Sequence, residues 1–537
     1  MSDSATKPRD PGFTTPDNRP DLPDEAQTDS TATGRCPFAH ADQAYVGPKS
    51  RHKKPGLNLK ELFEIAERDM LEIYPEKAYS YYMGKLSFGF GDIFTINDLN
   101  CAYRVLVDRH DDYPKSRYML RMLYPLLRDG VFVSSGERWK GQREKIDPAL
   151  SNLHLKRAFP AMQGAAADLL KRIEAVADTG EVVDMEPQFA AVTADAIFRV
   201  IFSIPLDGDR AEAIFSNFQT FQRSLTGLSM QDFMKLPSWL PTKYNARRDE
   251  ARQAAENIRD VARELVQQRL ELPMDDRPED MLSIILRGYA SEHGDKDIPV
   301  EEVVDQISVF FLAGHETLAS TLTWLVHLIA NSPDDEVRMR AEILDVVGVD
   351  GEITFDKVPR LAFSRAVFRE SLRLYPPVAS MARESKIDDK LRSHVIKPGS
   401  QCVVAPYFLQ RHTVYWRAPD AFIPERFMPG HLNKTERKAY MPFGVGPRIC
   451  PGAAFATIEA GLLLATLYRR FTFKPAEGHK VETLGRMTLR PKHGMPMTVH
   501  SIDPDEAQEL DETDAKTDPV TDAQNLDAQN TDAETKQ

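Results

Sequence analysis

Cysteine is scarce: the 537 residues hold four, Cys36, Cys101, Cys402 and Cys450, and no two form a C-x-x-C pair. That excludes a disulfide-rich scaffold and a zinc ribbon. The N-terminus lacks the apolar core of a secretory signal, and its eight acids within residues 1–50 are foreign to an organellar transit peptide. A long unbroken apolar run is missing too. The longest candidate, Val303 to Ala330, is interrupted by Asp305, Gln306, His315 and Glu316, so no membrane span is expected. No internal repeat is visible, which argues against a solenoid or propeller. Basic excess is absent: 68 Lys+Arg stand against 81 Asp+Glu, a formal net charge of −13. A nucleic-acid-coating protein needs the opposite balance. A soluble cytoplasmic protein is the expectation.

The acid is unevenly spread. Residues 501–537 hold twelve acids and two lysines, and residues 1–50 hold eight acids and five basic residues. The remaining 51–500 carry 61 of each sign. Both ends are poor in large apolar residues and cannot bury enough surface to offset chain entropy. A disordered N-terminal tail (1–50) and an acidic disordered C-terminal tail (501–537) are therefore expected. The body, 51–500, reads as one large domain, mainly α with small β-sheets. Apolar residues at three- and four-residue spacing predict helices over 58–72, 155–178, 243–271, 299–331, 334–347 and 361–375. Short β-rich runs lie at 93–96, 402–404 and 496–500. The 299–331 helix is apolar nearly all round, so it should cross the core.

One cysteine keeps unusual company. Cys450 closes the Gly/Pro-rich run from Met441 to Ile449, and Pro451 follows at what reads as the first position of a helix reaching about Leu467. Sulfur at a helix N-terminus faces unpaired N–H groups and the positive dipole end. That favours the thiolate, the form that binds metal. Gly446 and Gly452 remove side chains on either side, letting the backbone approach a flat, bulky group. Arg448 offers a cation to an anionic edge of such a group. The run Phe443-x-x-Gly446-x-Arg448-x-Cys450-x-Gly452 resembles the haem-binding loop of the cytochrome P-450 superfamily, with every fixed position filled. The resemblance implies a single large haem domain of the cytochrome P-450 fold, holding haem b with the Cys450 thiolate as axial iron ligand.

Further segments resemble the same family, in order, along 51–500. Glu370 and Arg373 are three apart, on one helix face and able to pair. They match the family's E-x-x-R helix, and Pro424-Glu425-Arg426-Phe427 matches its P-E-R-F segment. The resemblance implies that Glu370, Arg373 and Arg426 form a buried structural network, tolerable only if fully paired. Ala313-Gly314-His315-Glu316-Thr317 matches the oxygen-binding motif of the long helix. There the family's helix opens locally beside the iron, Thr317 would hydrogen-bond the bound oxygen, and Glu316 would relay protons. His315, at the free position, reads as structural. Trp139-x-x-x-Arg143 and Arg383 match propionate-binding positions, so with Arg448 three cations would meet two carboxylates. Leu489-Arg490-Pro491-Lys492-x-Gly494 also looks family-like. Cys36-Pro37 resembles the Cys-Pro dipeptide of haem-sensing tails.

The resemblance places Val131, Phe132, Phe310, Phe311, Ala313, Val378, Ala379, Met381 and Met487 around the distal pocket. These residues are apolar and imply a lipophilic substrate: a fatty acid, a terpenoid or a steroid-like ring. No flavin or nicotinamide domain is evident. Electrons would come from a separate ferredoxin- or flavodoxin-type partner, docking on Arg138, Lys140, Arg143, Lys145, Lys156 and Arg157. The expected activity is that of a monomeric monooxygenase which activates O2 and hydroxylates or epoxidises its substrate. A peroxide-driven peroxygenase and a non-catalytic haem sensor are the alternatives, and the Glu316–Thr317 pair argues against both.

Overall fold

Helical spacing in the sequence becomes helix in the structure, a computed structural model that describes residues 41–52, 59–88, 91–206, 208–224 and 243–502. Cys36, Pro37 and, apart from 41–50 and 501–502, the two predicted tails lie outside the described residues. The helices are α1 (Leu59–Arg68), α2 (Leu99–Tyr103, continued as a π turn over Arg104–Asp108), α3 (Arg117–Leu127), α4 (Gly136–Ile146), α5 (Asn152–Glu174), α6 (Met185–Phe202), α7 (Gly208–Ser224), α8 (Lys243–Leu270), α9 (Met281–His293), α10 (Val300–Ala330), α11 (Pro333–Val347), α12 (Ala362–Leu374), α13 (Pro406–Leu409), α14 (Lys434–Ala439) and α15 (Ala453–Tyr468). Aspartates set several starts. The side chains of Asp98, Asp184 and Asp280 accept N–H bonds from the first turns of α2, α6 and α9. The helix predicted over 58–72 stops at Arg68. There the buried Asp69 carboxylate takes the Leu71 N–H at 2.9 Å and Met70 N–H donates to the Gly485 carbonyl, so the chain turns instead.

The strands are short: β1 (Met83–Phe88), β2 (Gly91–Ile96), β3 (Val183–Asp184), β4 (Met381–Glu384), β5 (Asp389–Leu391), β6 (His394–Ile396), β7 (Gln401–Val404), β8 (Phe471–Pro475), β9 (Thr483–Gly485), β10 (Leu489–Pro491) and β11 (Pro496–Ser501). The main sheet runs β1-β2-β7-β4. β2 and β7 are parallel with Ile93 opposite Gln401, and β4 is antiparallel to β7 with Arg383 opposite Cys402. The predicted strands at 93–96, 402–404 and 496–500 all fall inside observed ones.

At the centre lies α10. It is long and apolar enough by composition to cross a membrane, yet 83% of its most apolar window is buried among other elements. Its close approach to α6 depends on Gly314, where a Cβ would sit 3.0 Å from Ile197 Cγ1. Thr193 Oγ1 of α6 also donates to the His315 carbonyl at 2.9 Å. Gly314 therefore answers a packing need, and it keeps partly open surface beside exposed Ala313.

Candidate functional site

The loop before α15 folds on itself. Cys450 N–H donates to the Phe443 carbonyl at 2.9 Å, and Phe443 packs, partly buried, on the core. Gly444 and Gly446 take φ of +76° and +74°. A Cβ on Gly446 would lie 2.7 Å from the Leu106 carbonyl oxygen, so this glycine seats the loop on the π turn of 104–108. That corrects the expectation that it clears space for a flat group. At Gly452 a Cβ would meet only Cys450 Sγ, at 3.9 Å, so the backbone there does leave room beside the sulfur. α15 begins at Ala453 with Gly452 at its cap. Pro451 is thus not its first residue, and the sulfur relies on one N–H, that of Gly452. Burial pushes the Cys450 thiol pKa up, while the Gly452 N–H and the charge of Arg143 pull it down.

Cys450 has open surface although protein encloses its sulfur on nearly every side. The same is true of α10, where exposed Ala313 and partly open Thr317 interrupt a helix otherwise buried on both sides of them. Ile449 is 42% exposed and Val378 40%. Met381 Sδ would lie 3.6 Å from a Cβ on Gly444, so part of this open surface borders the space beside the cysteine loop, the void of the candidate site. Phe132, Ala379, Met381 and Met487 keep open surface as well, as pocket lining requires. Val131, Phe310 and Phe311 do not. Phe311 packs on Phe218 and Phe198, ring centroids 5.2 and 6.4 Å away, and so serves the α6–α7 side of the core.

Cations gather beside this void. The Lys115 and Arg383 backbones form an antiparallel bridge, which brings their side chains together. Lys115 Nζ donates to the Phe132 carbonyl and lies 3.6 Å over the Phe132 ring. Its pKa falls well below the usual lysine value, first through burial and then through the charges of Arg383 and Arg448. Burial also lowers Arg383 to about 10. Arg448 is lowered to about 10 by burial and by Arg383 and Arg143, and its guanidinium stacks 3.9 Å over Trp139. Arg448 Nη1 is buried with no partner. None of these three cations pairs with a carboxylate among the described residues. Lys115 was invisible in the sequence: it sits in no motif, and only the backbone bridge reveals its place.

Arg143 has partners of its own. Its Nε pairs with Asp147 at 2.8 Å and its Nη1 donates to the Ile449 carbonyl at 3.3 Å. It braces the cysteine loop, and its charge acts on Arg448.

An iron porphyrin fits this donor set. The void offers one enclosed thiol as metal ligand. Three unneutralised cations would receive two carboxylates, and the orphaned Arg448 Nη1 supplies an unused donor. No group of three or more His, Cys, Asp or Glu side chains able to hold a bare metal ion occurs among the described residues.

On α10 the helix runs unbroken through 313–317, with no local opening. Thr317 Oγ1 donates to the Ala313 carbonyl at 2.7 Å, and His315 Nδ1 lies 2.7 Å from the Phe311 carbonyl. His315 stands edge-on to Phe218, 4.6 Å between centroids, and burial lowers it to about 4, in keeping with a structural role. Glu316 is buried. Its Oε1 accepts from Thr488 Oγ1 at 2.6 Å and lies 3.4 Å from Arg490 Nη2, while Oε2 has no partner. Burial raises its pKa, against the charge of Arg490. Arg490 in turn meets Gln222 at 2.9 Å and Glu186 at 3.4 Å, both nearer the surface. Thr488 and Arg490 were not foreseen as partners of Glu316. The Leu489–Gly494 motif contained Arg490 without showing which way it faced.

Glu370, Arg373 and Arg426 do converge, all fully buried. Glu370 accepts from Arg373 Nε and Nη2 at 2.7 Å each, from Arg426 Nε at 3.0 Å and from Ile423 N–H at 2.9 Å. One carboxylate cannot neutralise two guanidinium groups. The surplus N–H donors go to the carbonyls of Gln410, Pro419, Ala421, Arg417 and Ala418. The basic stretch behaves otherwise. Arg138, Lys140, Arg143, Lys145, Lys156 and Arg157 pair with Asp129, Glu137, Asp147, Glu292, Asp356 and Glu279 at 2.5–3.4 Å. Acids from neighbouring elements leave this face mixed in sign, not basic.

A family model described as Cytochrome P450 matches residues 52–496. Secologanin synthase 1 of Catharanthus roseus is 30% identical over 397 residues, 71% of this chain and 74% of that protein. 11-oxo-beta-amyrin 30-oxidase of Glycyrrhiza uralensis is 29% identical over 409 residues, covering 73% and 75%. Among solved structures, the cytochrome P450DA heme domain superposes with a TM-score of 0.69 at 22% identity, covering 79% of this chain and 91% of that one.

Proposed function

The chain belongs to the cytochrome P450 family, and from that premise we propose that Cys450 ligates haem through its thiolate while Lys115, Arg383 and Arg448 hold the propionates. The enzyme is a monooxygenase of the P450 type, and its cofactor is a haem with a cysteine axial ligand. When bound, that haem supplies the iron at which O2 is reduced and one oxygen atom passes to the substrate. The observation that carries the site assignment is the trio of buried cations, without carboxylates of their own, beside an enclosed thiol.

The remaining work falls to side chains. Trp139 keeps the Arg448 guanidinium flat under its own ring, so the arginine meets a carboxylate already oriented. Arg143 holds the Ile449 carbonyl and keeps positive charge near the sulfur, favouring the thiolate. On the opposite chemistry, Glu316 is a proton store. Burial makes its carboxyl hold a proton more tightly, and Thr488 and Arg490 fix Oε1 while Oε2 stays free to donate. Arg490, Gln222 and Glu186 supply the polar route by which Glu316 reloads. Thr317 can swing its hydroxyl from the Ala313 carbonyl to a group in the void. The apolar surfaces of Phe132, Val378, Ala379, Met381 and Met487 suit a lipophilic substrate. We favour a terpenoid skeleton over a fatty acid, because relatives are named for secologanin and 11-oxo-beta-amyrin. Electrons come, in this reading, from a separate ferredoxin- or flavodoxin-type protein. Its docking should depend little on salt, since the candidate cations are already paired.

Glu316→Gln tests the proton role. O2-dependent product formation should fall about 100-fold or more, while turnover driven by hydrogen peroxide, which brings its own protons, should change little. Equal loss by both routes would remove Glu316 from proton delivery. A panel of terpenoids, fatty acids and steroids, screened for substrate-induced change in iron spin state, tests the substrate class.

A further inference from the structure

The β9–β10 hairpin reaches both sides of the site. Its strands pair with Gly485 opposite Leu489, which leaves Arg486, Met487 and Thr488 as the tip. The base of the hairpin is anchored. Met70 N–H donates to the Gly485 carbonyl at 2.7 Å, and a Cβ on Gly485 would lie 2.7 Å from Leu71 Cγ. The Leu489 carbonyl accepts from Ser320 Oγ at 2.5 Å and from Trp324 Nε1 at 3.0 Å, both on α10. Leu489 N–H donates to the Pro377 carbonyl at 2.9 Å, which ties the hairpin to the residue before Val378 and Ala379. The tip then carries two unlike side chains in succession. Met487 keeps open surface, while Thr488 is buried and donates to Glu316 Oε1 at 2.6 Å.

An apolar residue at such a tip usually fills space and nothing more. Filling space does not call for a buried hydroxyl aimed at an acid one residue further on. The two positions are also mechanically joined. They share a planar peptide, and Arg486 N–H closes the tip on the Thr488 carbonyl at 3.2 Å. With Gly485 and Leu489 fixed, a push on Met487 is taken up inside the tip, and Thr488 moves with it. Glu316 Oε2 has no partner, so the bonds to Oε1 set how the carboxyl lies. When the Thr488 hydroxyl leaves, Oε1 keeps Arg490, 3.4 Å away, and Gln222, and the carboxyl gains freedom to turn.

We propose that Thr488 is a positioning residue through which a substrate touching Met487 sets the orientation of Glu316. The proposal rests on the haem-thiolate reading and gives its proton donor a dependence on substrate. With the void empty, the tip holds the acid tethered. A bulky apolar substrate presses Met487, the Thr488 hydroxyl moves off Oε1, and the carboxyl turns. A molecule too small to reach Met487 leaves the tether in place. The bulk of the bound molecule, and not occupation of the iron alone, readies the acid.

Two azoles separate these conditions. Imidazole and clotrimazole both bind haem iron through an azole nitrogen, and clotrimazole adds a bulky triaryl body. Infrared difference spectra of full-length, haem-loaded protein are recorded with each from mildly acid to neutral pH, and Glu316→Gln identifies the Glu316 carboxyl band. Loss of a donated hydrogen bond raises the stretching frequency of a carboxyl C=O. The band should move up with clotrimazole and stay in place with imidazole. In Thr488→Val it should stand at the raised position without any azole, and Thr488→Ser should restore the wild-type response. In Met487→Ala clotrimazole should still bind but leave the band in place. A band that moves equally with both azoles, that ignores Thr488→Val, or that is absent throughout the pH range would overturn the proposal. So would a void that takes imidazole and refuses clotrimazole. The reduced protein with carbon monoxide reports separately on haem and fold in each variant. A wild-type protein without the thiolate band would overturn the haem reading instead, so the two failures are distinct.

Discussion

An amine buried against two guanidinium groups is costly unless a negative group completes the set. Lys115 is such an amine, and its cost identifies what it waits for. Lys115→Met keeps the length and the contact with Phe132 but removes the charge. A charge-assisted hydrogen bond contributes about 1.5–3 kcal/mol, so haem should leave the variant about ten-fold faster or more, measured by transfer to a haem-scavenging apoprotein. Unchanged transfer would free Lys115 from this role. The same residue shows what a sequence hides. Cys450, Glu370 and Arg373 were legible because their neighbours lie within a few positions. Lys115 and Arg383 meet through a backbone bridge between distant segments, and no local spacing encodes that. For the same reason the contact of Arg143 with the Ile449 carbonyl, 306 residues away in sequence, was not legible.

At the scale of elements, α10 and α12 were the most legible because their periodicity is long and their polar interruptions few. α6 and α7 escaped notice. α6 is buried on most sides, so it lacks the polar stripe that marks a surface helix. The end of α1 was misplaced because Asp69, a side chain tied to its own backbone, overrode apolar spacing. α12 and its P-E-R-F partner predict a stability effect. Glu370→Gln leaves two buried guanidinium groups facing a neutral amide, and about 3–5 kcal/mol should be lost in denaturant unfolding. A loss below 1 kcal/mol, on the order of a surface pair, would mean the network is not critical. The start of α11 predicts a pH effect. Burial, then Glu425, raises Asp335 to about 7. Folding therefore keeps a proton that the unfolded chain sheds near pH 4. Stability is fullest below that point and falls as pH rises through 7, by up to roughly 4 kcal/mol. In Asp335→Asn the fall between pH 4 and 7 should flatten in thermal melts. Melts that parallel the wild type across that range would refute this.

For the whole molecule, charge is organised by place. The formal −13 belongs to the two ends of the chain, while residues 51–500 carry 61 charges of each sign. Within that neutral body, surface cations pair with acids from adjoining elements, and the cations around the void do not. Sequence alone could count these charges but not tell all the paired from the unpaired, because acids such as Glu292, Asp356 and Glu279 come from distant elements. That contrast is why the void, and not the outer face, is where an anionic cofactor belongs. All of it turns on one sulfur. The reduced full-length protein, exposed to carbon monoxide, should show the strongly red-shifted Soret band of thiolate-ligated iron, and Cys450→Ser should abolish it. A wild-type spectrum without that band, or a Cys450→Ser protein that keeps it, would contradict the account.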